Sequence, residues 1–421
     1  MTSRGAAAVA LLVLTGALIA VLALTTPWHV LNRPAGGRTA VFATRDFSPT
    51  EIQREEAFHR AFRPSAYAGL LIGLTVTVLL GFTPLGARLI GAVARPAGGG
   101  WGWRVVLGGL TLAALGQLFA LPFAAYGETV LRRYGLSTQD WGGWTVDLLK
   151  SFGIRVGVSM AVLLGFVSIV RAAPRTWWVW TAMGSAVLVV ALSFLYPVVV
   201  EPLFNKFTPM PAGALRTSLF ELARHDHVPV RDVLIADASR RTTALNAYVS
   251  GFGSTRRLVV YDTLVRSAPP QEVRLVVAHE LGHAKRGDVL HGTLVGALGA
   301  AAACCLAYLL LTWPWLLRRA GVPAAGDGRA VALLLALAAL AGVLTLPIQS
   351  LVSRRIEARA DVHALELTHD PATFIANEKR LSVSNLSDLQ PNPIVYGLFF
   401  DHPSGPERIA LARDWERLHR S

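Results

Sequence analysis

The stretch "VVAHELGHAKRGD", Val276 to Asp288, decides how this chain is read. It opens as an apolar helix, sets His279, Glu280 and His283 within five residues, and ends basic. Pro269 and Pro270 stand where a helix begins and Glu272 falls in its first turn, so "PPQEVRLVVAHELGHAKRGD" is expected to be one helix. Residues four apart on a helix project from one face. His279 and His283 can therefore grip one ion together, with Glu280 beside them in reach of a water. This is the H-E-x-x-H arrangement, two histidines on zinc and a glutamate as general base. A catalytic zinc takes three protein ligands and keeps a fourth position for water. A third ligand must come from elsewhere.

The surrounding chain says where. Of 421 residues 53% are hydrophobic and only 16% charged, against about 25% in ordinary soluble proteins, and mean hydropathy is +0.45. A spanning helix needs about 20 mainly apolar residues. Residues 6–24, 67–82, 105–125, 154–170, 177–200, 292–316 and 330–351 fit, which makes the chain a mainly α, polytopic membrane protein. The first stretch follows "MTSR" but is longer than a signal-peptide core, so it is read as a retained anchor. The second is short and interrupted by Pro84. The net charge of +13 is scattered through loops without a nucleic-acid recognition motif. Arginines facing anionic head groups explain it, and nucleic acid is not an expected partner. Cys304 and Cys305 are neighbours in an apolar run and form neither a disulfide framework nor a metal spacing.

Two consecutive crossings return the chain to the face it left. His283 lies just before the sixth span and Glu357 just after the seventh, so more than seventy intervening residues collapse to a short distance. Glu357 is thus the expected third ligand. Asp361 lies one turn further on the same face and suits a carboxylate that accepts a hydrogen bond from a ligating histidine and fixes its ring. His363 points away from that pair and is expected outside the site.

The polar segment between the fifth and sixth spans has mixed periodicity. "AGALRTSLFELARHD" is helical in spacing, "VRDVLIAD" and "RRLVVYD" read as strands, and "ALNAYVSGFG" as a third strand closed by glycines. "SRRIEARADVHALEL" reads as a further helix after the seventh span. The expected organisation is 1–200 as a first transmembrane region of about five spans, 201–290 as a catalytic segment, 291–351 as a transmembrane hairpin, and 352–421 as a second catalytic segment. The loop at residues 27–65 mixes both charges and receives no role.

"HELGH" followed by "SRRIEARAD" resembles the gluzincin membrane proteases of the M48 type, and more closely their CAAX prenyl protease 1 (Ste24) branch. "ETVLRRYGLSTQDWGGWTVDLLK", "YPVVVEPLFNKFTPMP", "NAYVSGFGSTRRLVVYDTL" and "DHPSGPERIAL" are similar to that branch too, so the likeness runs from about Glu128 to Leu411. It implies seven membrane helices around a chamber, an α+β catalytic domain with a small sheet, and peptide-bond hydrolysis by a zinc-activated water. By the same resemblance His279, His283 and Glu357 would hold one zinc ion and Glu280 would be the base. Asp361 would stand where such enzymes place a second acid, though an orienting role suits it better because a carboxylate paired with a zinc-bound histidine stays ionised. His402 and Asn246 would hold the peptide or its tetrahedral intermediate. Asp288 departs from the pattern, since the eukaryotic enzymes are expected to have histidine there; it is expected not to touch the zinc site.

Expected partners are a peptide or protein substrate, membrane-associated ones included, and the lipid bilayer. Arginines on short loops nearly balance across the membrane. Lys285, Arg286, Arg354, Arg355 and Arg359 at span ends tip the catalytic face toward the cytoplasm, and the Arg, Ala and Gly excess points to a bacterial inner membrane. The competing readings are an HtpX-like quality-control protease, which would have fewer spans, and a seven-span receptor or transporter with incidental histidines.

Overall fold

The computed structural model describes residues 2–420. Its helices include, in chain order, α1 (Ser3–Thr25), α2 (Pro49–Phe82), α3 (Trp101–Arg133), α4 (Trp141–Ala172), α5 (Trp177–Leu195), α6 (Ala214–His225), α7 (Pro270–Arg286), α8 (Asp288–Leu311), α9 (Val331–Thr368), α10 (Pro371–Ser384) and α11 (Gly405–His419). The strands are β1 (Phe207–Pro209), β2 (Asp232–Ala236), β3 (Ala247–Ser250) and β4 (Arg257–Tyr261). Seven helices are long and apolar enough to cross a membrane, among them α1 to α5, α8 and α9. Six of the seven expected spans lie within them, and the sixth, expected to reach 316, ends at Leu311.

These helices form a wall more than a solid bundle. No span has more than 28% of its apolar stretch buried, far below what a shared core would enclose. Neighbours run α5, α4, α3, α2, α9, α8 and back to α5, with α1 flanking α8. Where helices do meet closely, small residues allow it. A Cβ on Gly81 of α2 would stand 2.8 Å from the Ala332 carbonyl of α9 and collide with the Ala336 side chain.

Outside the wall the four-stranded sheet has the order β1-β2-β4-β3, with β2 and β4 parallel and the outer pairings antiparallel. β3 therefore has an open edge. Leu219 of α6, Leu258 of β4, Leu281 of α7, Leu365 of α9 and Trp415 of α11 share one core beneath the sheet. That core packs α7 and the last turns of α9 together.

Three features differ from the sequence expectation. The charged segment at 27–65 is largely structured, because Ser48 and Glu51 make a capping box and α2 begins at Pro49, well before its apolar part. Its first part is tied to the far end of the chain: Phe47 packs with Ile409, Asp46 pairs with Arg413, and Thr39 donates to Asp414. The second span, expected to be short, is the apolar end of a 34-residue helix, and Pro84 starts a separate helix after it, Pro84–Ala94. Finally, the seventh span and "SRRIEARADVHALEL" are one continuous α9, which crosses the expected boundary between 351 and 352.

Gly81→Val should destabilise the protein by about 1–3 kcal/mol, because the Ala332 backbone cannot yield. Thermal unfolding in detergent should show a lowered Tm for it, with little change for Gly73→Ala, whose Cβ would meet open space.

Candidate active site

α7 begins on Pro270 and ends at Gly287, whose φ of 67° is the left-handed cap conformation that glycine adopts without strain. The chain passes straight from this cap into the membrane as α8. α9 returns it and packs its outer half against α7. The glycine of "HELGH" is needed for that approach, since a Cβ on Gly282 would lie 3.0 Å from the His363 ring. His279, His283 and Glu357 are brought together here, each offering one ligand atom, all within 4.8 Å of one another.

The hydrogen bonds say which atoms face inward. His279 donates from Nδ1 to Asp361 Oδ1 at 2.9 Å, and His283 from Nδ1 to Asp288 Oδ2 at 2.9 Å. Both Nε2 atoms are then bare lone pairs, yet they stand 3.1 Å apart, and His279 Nε2 is 3.1 Å from Glu357 Oε2. Three acceptors converge on one point. A cation resolves that crowding, and two imidazoles with one carboxylate are the donor set zinc prefers. Burial opposes charge on either ring, but the hydrogen bonds to Asp361 and Glu357 outweigh it and lift His279 up to about 10. Burial is likewise outweighed for His283, where Asp288 and Glu357 raise it to about 9. The cage draws positive charge, which a divalent ion can supply in place of protons.

Around this point the two ring-fixing carboxylates are themselves anchored. Asp361 is fully buried and pairs with Arg408, which also reaches Glu378 Oε2 at 2.8 Å. Asp288 pairs with Arg359 from α9. The expectation that Asp288 would not touch the site is thus corrected: its position at the first residue of α8 puts its carboxylate on the His283 ring. Arg408, Glu378 and Arg359 were not singled out from sequence either. A signal existed for Arg408, which stands beside Ile409, Ala410 and Ala412 on a buried helix and so requires a buried acid. His363 lies outside, donating to Asp226 Oδ2 at 2.9 Å.

Glu280, His283, Glu357, His402 and Asn246 all line one cleft of about 720 Å3. Burial pushes the Glu280 carboxyl up, against the pull of the two histidines. His402 sits at the rim, its side chain 55% exposed, with Nε2 3.2 Å from Glu357 Oε2 and Nδ1 donating to Asp401 at 2.9 Å. Burial lowers its basicity, but Asp401 and Glu357 prevail and raise it. Asn246 is exposed and immediately precedes β3, whose residues Ala247 to Val249 form one wall. Phe194 of α5 stacks near Phe252 of the opposite loop, their centroids 4.2 Å apart, and gives the cleft an apolar end beside the membrane wall.

Residues 209–416 match the model of peptidase family M48, and residues 61–206 match that of the CAAX prenyl protease N-terminal region, five membrane helices. The chain is 30% identical to the uncharacterized metalloprotease YhfN of Bacillus subtilis (strain 168) over 72% of each protein. It is 28% identical to the CAAX prenyl protease 1 homolog of Arabidopsis thaliana, over 70% of this chain and 69% of that one. The crystal structure of S. mikatae Ste24p superimposes with a TM-score of 0.77 at 20% identity, covering 98% of this chain and 99% of that chain. These matches and the seven spans favour the CAAX protease branch over the HtpX-like reading. A carboxylate beside a metal-type donor cage and an open strand along a cleft fit what the family does, and the chain belongs to peptidase family M48 as an integral-membrane metalloendopeptidase.

Proposed function

We propose that one zinc ion per chain is held by His279, His283 and Glu357, and that the protein hydrolyses peptide bonds in the cleft above them. The observation that carries this is the convergence of three lone-pair donors whose ring protons are directed outward into carboxylates. When bound, zinc supplies Lewis-acid polarisation of a carbonyl and lowers the pKa of a water.

The chain's own residues do the rest. Glu280 takes the proton of the attacking water on its carboxylate and later gives it to the leaving amine. Its raised pKa suits both halves of that exchange, since a base whose pKa lies nearer the working pH also returns the proton readily. Asp361 and Asp288 hold the histidine rings in one tautomer. His402, with Nδ1 on Asp401 and its basicity raised, can carry a second proton on Nε2 and donate it to the developing oxyanion. The open edge of β3 can receive an extended peptide as an added strand, with Asn246 at its start. A substrate so placed runs between the sheet and α7.

The substrate class supported is a peptide or protein reaching the site beside the bilayer. The names of the eukaryotic relatives make prenylated CAAX peptides the first substrates to try. The chain is read as residing in a bacterial inner membrane with the catalytic face cytoplasmic, supported by the basic residues where α7 ends and α9 emerges. The organisation proposed is a transmembrane region at 1–200 and catalytic segments at 201–290 and 352–421, joined by the hairpin at 291–351.

Glu280→Gln should retain zinc by elemental analysis while peptide cleavage in detergent falls by about 10²–10⁴. Full activity in that variant would reject the mechanism. Glu357→Ala should lose the metal on gentle purification. Asp288→Asn removes the carboxylate on His283 and should weaken zinc about 10–100-fold in a chelator competition; unchanged affinity would show that the ring needs no such support.

A further inference from the structure

We propose a second binding site, for the phosphate of an anionic phospholipid headgroup, in the cavity on the other side of α9 from the cleft. Residues Leu351, Arg354, Arg355, Ala358 and Asp361 recur at helical spacing and line this cavity of about 360 Å3, whereas Ile356 and Glu357 look into the catalytic cleft. The opposite wall comes from the segment after α1, with Arg38 and Val41, and from Tyr396.

Its positive charge is in excess. Among the described residues Arg38, Arg354 and Arg355 make no ion pair. Arg354 is held by the backbone carbonyls of Tyr396 at 2.8 Å and Phe400 at 2.5 Å, and by the Tyr396 ring face 4.3 Å away. The acids in the wall are already engaged. Asp361 takes Arg408, Glu407 accepts from the Tyr396 hydroxyl at 2.7 Å, and Asp414 accepts from Thr39 and Arg417. Three guanidinium groups thus line one cavity in which Glu407 is the one carboxylate without a cationic partner, and the net positive charge left over suits phosphate oxygens.

Position selects the lipid as the source. Arg354 and Arg355 immediately follow the apolar run of the seventh span, so they emerge at headgroup depth. Leu351 is 38% exposed in the α9 wall and Val41 47% exposed in the wall facing it. Apolar surface beside excess positive charge matches a headgroup with its glycerol, and free phosphate would leave that surface wet. This site is independent of the zinc reading.

The full-length protein in detergent is titrated with phosphatidylglycerol, phosphatidylcholine or inorganic phosphate while unfolding is followed by tryptophan fluorescence. Phosphatidylglycerol should raise Tm in a saturable way that phosphatidylcholine does not reproduce. Arg38→Gln/Arg355→Gln should lose at least about tenfold in apparent affinity, the scale for removing charge-assisted hydrogen bonds. Arg318→Gln/Arg319→Gln, on exposed arginines at the opposite membrane face, should behave as wild type. Should the first pair not fold, Arg38→Gln alone, at an exposed position, carries the same comparison. Equal shifts by the two lipids, or an unchanged response in the Arg38/Arg355 variant, would overturn the site. Saturation of the shift by inorganic phosphate alone would overturn the lipid as its source.

Discussion

The structure depends on how it keeps buried carboxylates charged where α7 meets α9. Asp361, Asp288, Glu357 and Glu378 are crowded around two imidazoles, with Glu280 beside them. Ionised acids in such a place are costly unless paired. Arg408 offsets Asp361 and Arg359 offsets Asp288, while burial pushes Glu378 toward its neutral form. Glu357 and Glu280 are left without a fixed cation of their own. Glu357 thus carries a negative charge with no fixed cation, burial pushes Glu280 part of the way to its neutral form, and a divalent ion would offset what remains. The same crowding of acids explains why both imidazoles hand their Nδ1 protons outward.

Placing that cluster requires the membrane. α7 and the outer half of α9 are consecutive in space because α8 and α9 cross and return, so the bilayer-spanning hairpin sets the site's register. α9 is a single helix from Val331 to Thr368, and at 1.5 Å per residue such a rod is long enough to span the apolar layer and still project several turns beyond it. Glu357 and Asp361 are borne on that projection. The soluble core of Leu281, Leu365 and Trp415 then clamps the rod against α7. A tilt of the span would be felt at Glu357, fewer than two turns from the membrane boundary.

What was legible in the sequence followed local periodicity. The five-residue histidine motif, the apolar runs, the strands at Asp232–Ala236 and Arg257–Tyr261 and the helix at Ala214–His225 all carry their structure in nearby residues. Glu357 was reachable because topology alone brings hairpin ends together. β1 was not, because three residues ending in Pro209 have no pattern of their own and form a strand only by pairing with β2. The segment before α2 was illegible for a related reason: its partners, Arg413, Asp414 and Ile409, are at the opposite end of the chain. Arg408 and Arg359 were overlooked because a charged residue in a helix reads as solvated unless its acid is known.

Asp288 shows how one residue type changes the logic of a ligand. A histidine at this place would present a neutral ring to His283, accepting its proton through a single lone pair. A carboxylate accepts it as an anion, which makes Nε2 on the far side of the ring a stronger lone-pair donor. The exchange brings a desolvation cost that a neutral ring would avoid, since Asp288 is half enclosed. Arg359, two residues beyond Glu357 on α9, meets that cost and at the same time ties the start of α8 to the α9 rod. Each imidazole is therefore backed by a carboxylate and each carboxylate by an arginine from a different helix, so the two rings are fixed by four elements that do not move independently.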